Sequence, residues 1–378
     1  ITGEKTDYQN DTRQWFDSFA KRMPEEFVKK LDLIGGAWPE GPNHGSISSM
    51  PFLTWEAWRF ATGQDLFEKV GRTGFHRESP YWPVYGNVPH TGHMPHIEDV
   101  GPGMFRGLDT HMYLALHAAR YRDGSSQGSV KRAVENGRAG WADMIWYNPD
   151  IPVVKREALP LAFHFRGSGH VYMRSAWQGA DDTWAMFTAA PLFTAYGHGS
   201  GCVGAFQIAK QGTLAGKAGY NHWSSSGIPN SQNVVLIYDP KEKYFNRTGA
   251  ETRRNDGGPQ SPNFPHALEP VKRGEIVAYE HGDAYTYVAA DLTLAYSSVR
   301  DDPATKKRTR SEKIREITRQ FVYVRGNPEF FVIYDRVCAT DAALPKTWVL
   351  HLQDEPEVLA AGGPLKVARS TICPSMLA

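Results

Sequence analysis

Cysteine is scarce, with three residues in 378, at Cys202, Cys338 and Cys373. They are odd in number, far apart and lack a Cys-x-x-Cys pair. Neither a disulfide framework nor a cysteine metal site can be built from them. No run of eighteen apolar residues occurs, so no helix of the sequence is fit to cross a bilayer. Charge of one sign is also lacking: 42 basic side chains face 41 acidic ones, and the formal net charge is +1. That balance argues against a general grip on nucleic acid or a membrane surface, and leaves a local basic patch for an acidic polymer. There is no internal repeat and no low-complexity tract. Residue 1 is Ile, with no leader pattern, and the final residues carry no evident stop. A processed or truncated chain is therefore expected.

What is present fits a folded protein of two domains. Hydrophobic residues make up 41% of the chain, enough for real cores. Aromatic residues reach 12%, with 11 Trp. They are core material first, and they are also the rings that stack on pyranose faces.

Residues 1–150 read as helical. Trp15, Phe19, Met23, Phe27 and Leu31 recur every fourth residue, and Pro24 is expected to split that run. Ser48, Ser49 and Pro51 begin a second helix carrying Phe52, Trp55 and Phe60, which Gly63 stops. A short helix follows over 64–70. Met104, Leu108, Met112, Leu116 and Ala119 form another stripe, and 129–147 is a weaker one. Such a succession predicts an α/α hairpin array. Residues 151–378 change period. Runs at 170–175, 184–188, 205–209, 233–238, 276–280, 286–289, 320–325 and 330–334 favour β-branched and aromatic residues between turns, which predicts a sandwich. The charged stretch 300–313 reads as a solvated loop. The fold class is thus α+β, helices first and an antiparallel sandwich second.

Two stretches carry a family resemblance. One is Trp38-Pro39-Glu40-Gly41-Pro42-Asn43-His44, followed by Pro51-Phe52. The other runs from Val171 to Tyr220, with VYMRSAW, TAAPLF and AYGHGSGCVGAFQIAKQGTLAGKAGY in order. RQFVYVRGNPEFFVIYDRV and WVLHLQ continue it. Together they resemble the heparinase II/III-like polysaccharide lyases from about Gly35 onward. The resemblance implies an N-terminal (α/α) toroid, here incomplete, before the sandwich. It also implies β-elimination beside a uronic acid in an alginate or glycosaminoglycan, in a secreted or periplasmic protein without an organic cofactor. Homo-oligomerisation is compatible with it.

Elimination needs the uronate carboxylate neutralised, a base for the C5 proton and an acid for the departing O4. Relatives place a Tyr four residues after the Glu of the Glu-Gly element. Here that position is His44, whose imidazole titrates near neutrality; its plainer role is packing or capping a turn. His198, between Gly197 and Gly199, matches the sandwich His that relatives aim into the cleft, with Tyr196 as a partner or merely a strand-end aromatic. Trp38, Glu40, Asn43, His96 and Arg174 are the substrate-binding candidates; Arg174 equally pins a strand. The neutralising Asn or His that relatives carry well upstream of their Tyr would fall before residue 1.

The family's zinc positions appear as Ser200, Lys217 and Gln232. None is a good ligand, Lys217 would repel the ion, and His222 alone cannot rebuild the set, so no zinc is expected. His90, His93 and His96 form an HxxHxxH run. Pro89 and Pro95 disfavour a helix there, and a cleft-lining loop is expected rather than a metal site. Two other classes remain open: a glycosidase using Glu40 and Asp99, and a non-catalytic polysaccharide-binding protein.

Overall fold

The computed structural model describes residues 9–38, 49–69, 74–95, 111–193, 202–218, 229–242, 244–245, 251–252, 255–259, 271–301, 308–362 and 365–369. Residues 9–34 are helical throughout: α1 (Gln9–Arg22) passes through a π-helical segment (Met23–Val28) into α2 (Lys29–Ile34). The break expected at Pro24 does not occur. Pro24 stands in the first turn of the π segment, where the wider turn accommodates its ring and missing N–H. The expected stripe also fails at Trp15 and Phe27. A four-residue period drifts by about 40° per step on a 3.6-residue helix, so Trp15 is 77% exposed and Phe27 47%, while Val28, Leu31 and Ile34 are buried.

α3 (Ser49–Thr62) begins two residues before Pro51, buries Phe52 and Trp55, and stops at Gly63, whose φ is +73°. The helix expected over 64–70 is only a 3-10 turn at Phe67–Lys69. Then come α4 (Phe75–Glu78), α5 (Trp82–Gly86), α6 (His111–Tyr121), α7 (Gly124–Glu135) and α8 (Trp141–Trp146). α7 starts earlier than its apolar pattern indicates because Asp123 caps it. The Ser126 N–H donates to Asp123 Oδ1 at 2.6 Å, and the Tyr81 hydroxyl donates to the same carboxylate.

The strands are β1 (Ala162–Phe165), β2 (His170–Arg174), β3 (Trp184–Thr188), β4 (Leu192–Phe193), β5 (Phe206–Ala209), β6 (Thr213–Ala215), β7 (Val235–Ile237), β8 (Tyr244–Phe245) and β9 (Glu251–Thr252). They continue with β10 (Val271–Lys272), β11 (Glu275–His281), β12 (Tyr285–Asp291), β13 (Ser297–Asp301), β14 (Arg308–Glu312) and β15 (Ile314–Val324). Last come β16 (Phe330–Ala339), β17 (Lys346–Trp348), β18 (Glu357–Gly362) and β19 (Leu365–Arg369). Two antiparallel sheets dominate, ordered β1-β2-β3-β5-β6 and β11-β12-β15-β16; the rest are two-stranded pairs. The described part of the charged stretch expected to be a solvated loop is instead strand over 300–301 and 308–312: Ser297 pairs with Glu312 and Asp301 with Arg308. Backbone ladders do not require apolar side chains, so composition alone conceals such a hairpin.

Period-two alternation explains the layering. Every residue of β2 and β3 is buried. Val171, Met173, Ala185 and Phe187 pack with Val288, Ala290, Ile317 and Phe321 of the second sheet. Their neighbours Tyr172, Trp184 and Met186 pack with Trp82 and Tyr85 of α5. The five-stranded sheet is therefore the middle layer, with the second sheet on one face and helices on the other.

Candidate functional site

Of the site residues named from the sequence, Glu40, Asn43, His44, His96, Asp99, Tyr196, His198, Ser200 and His222 lie outside the described residues. Trp38 and Arg174 lie within them, both at the seam between helices and middle sheet. Trp38 is half-buried, stands edge-on to Phe75 at 6.0 Å, and touches both the helical core and the seam cluster.

Arg174 is buried in β2. One guanidinium nitrogen donates to the carbonyls of Val84 and Tyr85, each at 3.4 Å, and to that of Asn87. The Trp184 indole N–H adds a bond to Tyr85 O at 2.9 Å. The end of α5 thus has its orphan carbonyls satisfied by side chains of the sheet, which fixes the helical layer on the sandwich. In this position Arg174 fastens the seam.

Beyond it the backbone closes up on glycine. Gly35 has φ +64°; a Cβ on Gly36 would lie 2.3 Å from Glu78 Cβ, and one on Gly167 would lie 2.4 Å from Gly35 N. Gly169 has φ +67°, a Cβ there would lie 2.4 Å from Ala189 O, and the Ala189 N–H donates to Gly169 O at 2.8 Å. Only glycine permits such approaches. The β1–β2 turn is therefore wedged between two chain segments. One, Gly35–Trp38, leads toward His44. The other, the end of β3, leads through β4 toward His198. His44 is six residues past Trp38 and His198 five past Phe193, reaches of at most about 20 Å and about 18 Å.

The polar groups at this junction are closely set. A cavity of about 250 Å³ is lined by His164, Arg166, Gly169, Pro191, Lys272 and Glu275 among others. Burial, and then the Arg166 charge, depresses His164 to about 4. Burial, and then His164, depresses His170 to about 3, and its Nδ1 has no hydrogen-bond partner. Both imidazoles are neutral at physiological pH, so they offer hydrogen bonds rather than charge.

Glu78, which the sequence does not single out, is the unusual carboxyl. Burial raises it to about 7, against the opposing Gly36 N–H and Arg166 charge and with a smaller upward push from Asp32. Its Oε2 is buried without a hydrogen-bond partner. Nothing in Phe75-His76-Arg77-Glu78 announces burial; the Gly35-Gly36 pair was the one available sign of a close approach. Because the folded pKa is raised, the folded state holds this proton more tightly than the unfolded chain. That contribution is present below about 4.5 and is lost as pH rises through about 7. Glu78→Gln is expected to raise stability by about 1–2 kcal/mol at pH 8, allowing for solvent screening, and to leave it nearly unchanged at pH 5. Urea midpoints at both pH values check this; equal effects at both would show that the carboxyl is not protonated in this way.

The loop carrying the first two histidines of HxxHxxH is non-helical: Val88 bridges to His93 around a turn. His90 and His93 line a second seam cavity of about 450 Å³ with Trp184, Gln207 and Lys217. Burial lowers His90, and its Nδ1 has no partner. Among the described residues no group of three or more His, Cys, Asp or Glu is placed to hold a metal ion. Of the family's zinc positions, Lys217 is half-buried and Gln232 buried. An ammonium and a carboxamide do not suit zinc.

No protein-family model matches the chain, and no curated protein matches it. Solved structures do. Heparan sulfate lyase HepC from Pedobacter heparinus is 13% identical with a TM-score of 0.47; the likeness covers 87% of this chain and 42% of that one. A mutant of the same enzyme is 12% identical at TM-score 0.48, covering 87% and 42%. A heparinase III gene product is 13% identical at TM-score 0.45, covering 91% and 46%. The chain spans less than half the length of each. No described helix is long and apolar enough to cross a membrane.

Proposed function

We propose that the chain is part of a heparinase II/III-like polysaccharide lyase that cleaves an alginate- or glycosaminoglycan-like polymer by β-elimination, in a secreted or periplasmic setting. The observation that carries the reading is the glycine-packed junction. The segments that lead in sequence to His44 and to His198 both pack against the one β1–β2 turn, Gly35 meeting Gly167 and Ala189 meeting Gly169. This supports a site shared by the helical layer, taken as part of an (α/α) toroid, and the sandwich.

In the proposed reaction His198 donates a hydrogen bond to the uronate carboxylate and offsets the charge that builds there, with Tyr196 beside it. His44 takes the C5 proton. The freed electron pair forms the C4–C5 double bond as the C4–O4 bond breaks, and the proton returns to O4 from the imidazolium. Trp38, Glu40, Asn43 and His96 hold the sugar, and Arg174 supports the cleft through the seam. No step requires a metal, and Ser200, Lys217 and Gln232 would not hold zinc.

A panel of acidic polysaccharides tests this reading. The expected product is an unsaturated uronyl end absorbing in the ultraviolet, in step with new reducing ends. Reducing ends without absorbance would identify a hydrolase using Glu40 and Asp99, and binding without turnover a non-catalytic module. Either would overturn the lyase.

A further inference from the structure

A third seam cavity is lined in part by Arg174. It has a volume of about 510 Å³, and its walls include Asn87 and Pro89, whereas Val88 and His90 face the 450 Å³ cavity; the loop separates the two. Four cations line it: Arg132 of α7, Lys155 and Arg156 of the stretch before β1, and Arg174 of β2. Two carboxylates do so, Glu157 and Asp182, and Asp182 Oδ2 already accepts the N–H groups of Gln178 at 2.7 Å and Gly179 at 3.1 Å.

None of the four cations forms an ion pair with a described residue. Arg174 lies 4.4 Å over the Trp177 ring, its Nε without a hydrogen-bond partner, and Trp177 is held by its own N–H to Leu159 O at 3.0 Å. The cations also feel one another. Desolvation, then Arg132, lowers Arg156; burial, then Arg156, lowers Arg174 to about 10, with Asp182 opposing. Among the described lining residues four cations outnumber two carboxylates, and such an excess of positive charge in a concave site is relieved by a bound anion.

We propose that this cavity binds an oxyanion, a sulfate, phosphate or carboxylate, with Lys155, Arg156 and Arg132 as its movable cations and Arg174 as a fixed positive floor. Its volume falls in the range of small-molecule sites, which favours an oxyanion carried on a sugar. The proposal uses neither His44 nor His198 and shares only Arg174 with the elimination reading, so it does not rest on that reading.

Calorimetric titration at fixed ionic strength tests it, with inorganic sulfate, glucose 6-sulfate and glucose as ligands. Glucose 6-sulfate is expected to bind one to one, and glucose to give no heat. Tighter binding of the sugar ester than of sulfate would make the ligand sugar-borne; equal binding would make it the free ion. Both support an oxyanion site. Lys155→Glu with Arg156→Glu should weaken binding at least tenfold. Both residues reach the surface, so the ligand-free unfolding midpoint should hold. Arg132→Gln, which removes charge without reversing it, should weaken binding severalfold. Heat from neither anion, or unchanged affinity in both variants, would overturn the proposal, while polysaccharide turnover would be untouched by that failure.

Discussion

His44→Ala is expected to lower polysaccharide turnover by about 10²–10⁴-fold, the contribution of one positioned acid–base group. The unfolding midpoint should stay near that of the parent. The size of the effect follows from the weak acidity of the C5 proton, which water alone would have to remove once the imidazole is gone. His198→Ala should also reduce turnover strongly, because the carboxylate would keep the charge that opposes carbanion formation. Steady-state rates and thermal melts of the two variants check both statements. Near-parental turnover in His44→Ala would remove that residue from the chemistry. A collapsed midpoint in His198→Ala would make its role structural.

The second large effect concerns stability. Lys313 and Glu242 form an ion pair at 2.6 Å with both side chains 2% exposed, and the ammonium also donates to Gly257 O at 3.0 Å. Burial lowers the Lys313 pKa, and Glu242 opposes that shift. Lys313→Met would take this cation from the buried Glu242 carboxylate and is expected to cost about 3–5 kcal/mol. Lys313→Met with Glu242→Gln should recover most of the loss, since the penalty lies in a buried charge deprived of this partner and not in the pair itself. Denaturant unfolding of the two variants checks this. A loss below about 1 kcal/mol in the single variant would mean that water reaches the site.

Lys313 also shows where the sequence misleads. It closes a stretch of charges that reads as solvated, yet it is the buried partner of a residue 71 positions away. No local pattern reports such a pairing. By contrast β3 was legible to the residue, because Trp184-Ala-Met-Phe-Thr188 is apolar on both faces and bounded by turns. β1 does not show in the sequence, because Ala162-Phe-His-Phe165 is neither a continuous apolar run nor directly preceded by a turn residue. α7 starts ahead of its apolar stripe, at the capping signal of Asp123-Gly124-Ser125-Ser126.

At the candidate site the division is similar. Motif order marked Trp38 and Arg174, and both came to the seam. The double glycine at 35–36 and the turn glycines 167 and 169 were visible individually, but their mutual packing is a tertiary fact. Glu78 and the cationic cavity were invisible for the same reason. Arg132, Lys155, Arg156 and Arg174 come from three separate parts of the chain, and their charges cancel in any composition count.

The most direct test of the central claim, that one imidazole from each side of the junction acts on the same sugar, is a double-mutant cycle in kcat/KM. If His44 and His198 serve one elimination step, the variant carrying both alanines should be little worse than the weaker single variant, because the second loss falls on a step already disabled. Losses that multiply across the double variant would place the two histidines in independent roles and contradict the account.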